Sequence, residues 1–120
     1  QGIHMSTASF KDTIQPFFWV EHENSCSVCL SDLNFKSEII ASRADEGFEG
    51  NGYDWASLAS TYVDKQLPEL VDLVKFDPEA DMFCAYSSDA EALKKFILSF
   101  KQALDKTEFM IEIFSYAELD

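Results

Sequence analysis

The sequence predicts an α+β fold: a single domain with an antiparallel sheet of about four strands, arranged as two hairpins, and helices packed on one face. Three observations predict it. Apolar residues make up 47% of the chain and include eleven Phe, enough to fill one core. The hydrophobic period changes between 2 and 3.6 from segment to segment. Strand-like and helix-like segments come in runs, not in the strict alternation of a parallel βαβ protein.

The first strand signal is Phe17-Phe18-Trp19-Val20, aromatic and β-branched. Glu23-Asn24 reads as a turn. Cys26, Val28 and Leu30 then alternate with Ser25, Ser27, Cys29 and Ser31, a half-buried strand that pairs with the first as a hairpin. Residues 35–44 predict a short helix. Trp55, Leu58, Ala59, Tyr62 and Val63 recur with helical spacing, and Asp54 is placed to cap that helix. Pro68 forces its end near Gln66, because the residue before proline avoids the α region. A further turn is expected at 69–71. Residues 73–76 and 82–86 predict a third and a fourth strand about an Asp77-Pro78 turn. Ser88-Asp89-Ala90-Glu91 reads as a capping box. It opens a helix with Leu93, Phe96, Ile97, Phe100 and Leu104 on one face, and Phe109, Ile113 and Phe114 mark a last helix.

Residues 1–5, QGIHM, read as an expression scar, which leaves residues 6–120 as one domain and His22 as the native histidine. No internal repeat or linker divides it. No apolar run reaches the roughly 18 residues of a membrane span. STASFKDTIQ after Met5 has neither the basic start nor the apolar stretch of a signal peptide. Three cysteines suit a reducing compartment. The expectation is a cytoplasmic protein, and its self-repulsion favours a monomer.

Charge is the strongest bulk signal. Twenty-two acids against nine bases give −13, and ten of those acids lie between Asp45 and Asp81 against Lys65 and Lys75 alone. Such a surface repels nucleic acid and anionic membranes and attracts a basic partner.

The motifs argue against chemistry. Gly47, Gly50 and Gly52, three of the four glycines, stand in EGFEGNGYDW. Their G-x-x-G-x-G spacing is neither a dinucleotide fingerprint nor a P-loop, and Glu46, Glu49 and Asp54 beside them would repel phosphate. The segment reads as a turn before a capped helix. Cys26 and Cys29, three apart in a strand, point to opposite faces and cannot share a disulfide or a metal. Asp77, Glu79 and Asp81 lack the Gly and Glu that an EF-hand loop needs at its sixth and twelfth positions. Neither a zinc set nor a nucleophile–base pair is present around His22, and Arg43 is the sole arginine. No cofactor, no metal and no enzymatic activity are expected.

PFFWVEHENSCSVCL (16–30), RADEGFEGNGYDWASLA (43–59), LPELVDLVKFDPEADMFCAYS (67–87) and FSYAELD (114–120) resemble the immunity protein 51 family, small cytosolic proteins encoded beside bacterial polymorphic toxins. Asp81 departs from the family pattern, which has glycine there. The resemblance implies an inhibitor that binds the C-terminal domain of a cognate toxin, one to one, and blocks it. Many such toxins are nucleases with basic clefts, delivered by contact-dependent or type VI routes. The residues expected to meet the toxin are Glu46, Glu49, Asn51, Tyr53 and Asp54 on the glycine segment and Asp77, Glu79 and Asp81 on the following acidic turn. The rival reading is an acidic adaptor or structural subunit of another complex, which the gene neighbourhood would distinguish.

Overall fold

The structure is a computed structural model and describes residues 7–118. The expected scar at residues 1–5 lies outside the described residues. Four strands, β1 (Phe18–Glu21), β2 (Cys26–Leu30), β3 (Lys75–Phe76) and β4 (Phe83–Ser87), form one antiparallel sheet in the order β1-β2-β4-β3. The two predicted hairpins are β1–β2 and β3–β4, joined where β2 pairs with β4. The helices are α1 (Thr7–Ile14), α2 (Glu38–Ala41), α3 (Gly52–Gln66), α4 (Ala90–Leu104) and α5 (Thr107–Phe114).

Val28, Leu30, Phe83 and Ala85 point from the two central strands to the helical layer and are fully buried. Trp55, Leu58, Ala59, Tyr62 and Val63 of α3 and Leu93, Phe96, Ile97, Phe100 and Leu104 of α4 meet them, as their spacing predicts. Phe17 is the hub: its ring makes edge contacts with Phe35, Trp55, Phe83 and Phe100 at centroid distances of 6.1–6.3 Å. A fully buried ring such as Phe17, Phe83 or Phe100 contributes about 2–3 kcal/mol by burial alone.

Several boundaries differ from expectation, each for a local reason. β1 starts one residue later than predicted because Phe17 belongs to the core hub. α1 was not foreseen. It is a short segment whose apolar signal is one pair, Phe10 and Ile14, both buried. The predicted 35–44 helix is a chain of turns around the four-residue α2, broken by Lys36 at φ 50°. The predicted third strand contracts to two residues, since Leu73 sits in a turn and is exposed while Val74 goes inward. The cap of α4 is Asp89, one residue after the predicted Ser88: its carboxylate accepts from the Ala92 amide at 3.1 Å, and Ser87 Oγ accepts from the Asp89 amide at 2.9 Å. The cap of α3 is Asn51, not Asp54, so this helix also starts earlier than expected.

Candidate functional site

The glycine segment owes its shape to backbone demands. Gly47 and Gly50 have φ of 109° and 84°, in the left-handed region that side chains disfavour. Gly52 is needed for a different reason. Its amide donates to the Ala80 carbonyl at 3.0 Å, and a Cβ on it would lie 1.8 Å from the Glu79 carbonyl oxygen and 2.4 Å from that of Met82. The start of α3 therefore rests directly on the turn that links β3 to β4.

That contact brings together two segments about thirty residues apart. The linking turn is closed by paired amide–carbonyl bonds between Glu79 and Met82, at 2.8 and 3.2 Å. Asp81 occupies its tip without positive φ, so the turn does not require the family's glycine there. Glu49, Asp77, Glu79 and Asp81 are exposed, and none of them takes part in an ion pair among the described residues. Four uncompensated carboxylates thus border one junction. Tyr53 stands beside them, 47% exposed. With Ala56, Ser57, Ser60, Phe76 and Pro78 it lines an open cleft of about 340 Å³.

The other three expected residues have local partners. Asp54 is buried, and its Oδ2 accepts from the amides of Glu49 at 2.6 Å and Gly50 at 2.9 Å, so it clamps the loop from within. Half-buried Asn51 accepts from the Asp54 amide at 2.9 Å as the helix cap. Glu46 accepts from Arg43 Nη2 at 2.7 Å, and that hydrogen bond holds its carboxyl below the usual glutamate pKa. The guanidinium also donates through Nη1 to the carbonyls of Phe114 at 2.7 Å and Ala117 at 2.6 Å and lies over the rings of Phe48 and Phe114. Arg43 thus caps the C-terminal end of α5, a role that its being the sole arginine did not reveal.

The strand period places Cys26 and Cys29 on opposite faces, as expected, but it also makes Cys29 the cross-strand partner of Cys84. Their Sγ atoms lie 2.8 Å apart and both thiols are free. Because the Cys84 carbonyl accepts from the Asp77 amide of the neighbouring segment, the Cys29–Cys84 pair is a non-hydrogen-bonded one, whose side chains approach closest. The hydrogen bond with Cys84, reinforced by burial, keeps Cys29 protonated far above its ordinary range. Parity along each strand puts Cys29 and Cys84 on the same face, and the β2–β4 register makes them neighbours; spacing within C-x-x-C shows neither. Among the described residues no cluster of three or more His, Cys, Asp or Glu is arranged to hold a metal ion, and no helix is long and apolar enough to cross a membrane.

No curated protein and no solved structure matches the chain. One family model does, that described as Immunity protein 51, over residues 17–119, which include the glycine segment, the acidic turn and the whole sheet. Such a family implies an immunity protein that binds a cognate toxin. This chain belongs to the immunity protein 51 family.

Proposed function

We propose that this immunity protein neutralises its toxin by covering a basic surface of the toxin's C-terminal domain with the acidic face at the α3–turn junction. The single observation that carries the reading is the docking of Gly52 on the 79–82 backbone. It gathers Glu49, Asp77, Glu79 and Asp81 around one junction, without a neutralising base on any of them. Unpaired carboxylates held on short, capped turns lose little conformational entropy when they meet lysines or arginines, and they steer a basic partner from a distance. A nuclease-type toxin fits this chemistry, because a phosphate-binding cleft is lined with bases. The carboxylates then stand in for the nucleic-acid backbone. Tyr53 is the aromatic anchor beside them, of a residue type that often dominates binding energy. Asp54 and Asn51 serve indirectly, by holding the loop; Glu46 contributes charge at the margin. In this reading the protein acts in the cytoplasm as a monomer that forms a 1:1 complex, within a contact-dependent or type VI polymorphic toxin system.

The test is co-expression with the C-terminal domain of the toxin encoded next to it, followed by titration across salt concentrations. The expected result is a tight 1:1 complex whose Kd rises steeply with salt. Charge reversal by Glu49→Lys with Glu79→Lys, and by Glu46→Lys with Glu49→Lys, is expected to weaken binding about 100-fold or more for the first pair and less for the second. A complex indifferent to salt and to both double variants would refute the acidic face. Failure to form any complex would return the adaptor reading.

A further inference from the structure

The sheet's open face adjoins the acidic junction, and its composition is unusual. The pairing register lays its residues out in two rows across all four strands. One row runs Phe18, Cys29, Cys84 and then Asp77, whose amide bonds to Cys84; the next runs Val20, Ser27, Tyr86 and Lys75. An antiparallel sheet with one solvated face normally turns polar residues outward. Here the outward side presents Phe18, Val20, Cys84 and Tyr86 around Ser27 and Cys29, which their neighbours bury. Phe18 is 42% and Tyr86 39% exposed. Only Asp77 and Lys75, both at the β3 edge, bring charge into the two rows, on a chain of net charge −13.

We infer that this open face is the apolar half of the toxin-binding surface, with Phe18 and Tyr86 as anchors, and that its occupant is a toxin surface with an apolar centre and a rim of lysine or arginine. This rests on the immunity reading above and deepens it. Charge chooses the occupant. Asp77 ends one row of the sheet face and also belongs to the acidic turn, so the two surfaces are continuous. Asp77 and Glu79 lie close enough to Cys84 for their charge to act on its thiol. A second copy would set acid against acid, with −13 on each side. Area agrees. Four strands at about 4.8 Å spacing make this face on the order of 200 Å². That is well short of the roughly 800 Å² per partner of a stable complex. The face gains that size only together with the α3–turn junction.

The test compares Phe18→Ala with Tyr86→Ala, as a double variant, against the wild type in binding the toxin's C-terminal domain, with melting temperature as the folding control. The expected result is a Kd raised at least 30-fold at an unchanged salt slope, because the apolar anchors are lost and the charges remain. A measurement on the unmodified chain guards against misfolding of the variant. Alkylation of Cys84 by iodoacetamide should slow when the toxin domain binds, while alkylation of Cys26, on the helical side of the sheet, should not. Unchanged affinity in the double variant with unslowed Cys84 alkylation, alongside weakened binding by Glu49→Lys with Glu79→Lys, would overturn the inference and leave the acidic face standing. Absence of any complex with the wild type would overturn both. A dimer of the free chain that Tyr86→Ala converts to a monomer would assign the face to a second copy and overturn the inference.

Discussion

Gly52→Ala should destabilise the protein although it adds a better helix former at the start of α3. The new Cβ would lie 1.8 Å from the Glu79 carbonyl oxygen, about 1.5 Å inside the distance at which carbon and oxygen touch. Neither side can yield cheaply, because both are backbone. Separating them by that amount breaks the 3.0 Å bond from the Gly52 amide to the Ala80 carbonyl, worth about 1 kcal/mol. The overpacking adds about 1–3 kcal/mol. Alanine's helix preference offsets at most about 1 kcal/mol of this. With the full offset the net loss is about 1–3 kcal/mol, a fall of roughly 5–15 °C in Tm for a domain of this size. Urea denaturation and thermal melting of Gly52→Ala and Gly50→Ala check it. Gly50 has open space around its missing Cβ and φ of 84°, so it should lose only the left-handed strain of about 1–2 kcal/mol. A Gly52→Ala variant as stable as the wild type, or more so, would refute the close docking of α3 on the turn. The gathering of carboxylates around one junction would fall with it.

Three further outcomes follow from the same geometry. Arg43→Ala removes two carbonyl contacts at the end of α5 and the stacking on Phe48 and Phe114, and chemical denaturation should show a loss of about 2–4 kcal/mol. Asp54→Ala leaves the Glu49 and Gly50 amides without their acceptor and should cost about 2–4 kcal/mol; toxin affinity should fall as well, because the loop loses its clamp. Glu46, with its pKa depressed by Arg43, contributes stability present above the ordinary glutamate value of 4.5 and lost as pH falls through its folded value. The stability gap between the wild type and Glu46→Gln should therefore close below about pH 4.5 and stay constant from there to neutrality.

The fold was legible where periodicity was long. Trp55 to Val63 and Leu93 to Leu104 each span several turns, and all the residues singled out there are buried. Short elements were harder to read because one apolar pair is not a period: Phe10 and Ile14 define α1, which was not expected, and Ile39 and Ile40 define α2, which is expected within 35–44 but is only four residues long. Cap positions slipped because Asp, Asn and Ser are all good caps. EGNGYD offers Asn51 and Asp54, and the choice went to the residue that lets the other reach back to the Glu49 and Gly50 amides. Ser88 and Asp89 posed the same ambiguity, and there Ser87 braced the second. The Cys29–Cys84 approach needed a register between β2 and β4, whose nearest paired residues, Leu30 and Phe83, are 53 apart in sequence, and no local pattern encodes it.

The candidate site was legible in its parts and not in its division of labour. Composition marked the glycine segment and the acidic turn, since three of four glycines and ten of the acids fall in the middle of the chain. It could not tell which carboxylates face water. Asp54 and Glu49 look equivalent in EGFEGNGYD, yet one is buried accepting two amides and the other stands free. Glu46 and Glu49 are three apart, yet Arg43 neutralises the first alone. The physical distinction is supply. The chain has a single arginine and commits it to α5, and none of the lysine ion pairs among the described residues reaches the junction. With no ion-pair partner among the described residues, Glu49, Asp77, Glu79 and Asp81 leave their charge available to a basic partner, which is what the proposed reading requires. On the proposed reading, the ion pairs that these carboxylates make with a basic toxin stabilise the folded domain by binding, so the Tm gain on complex formation should shrink at high salt, where those pairs are screened.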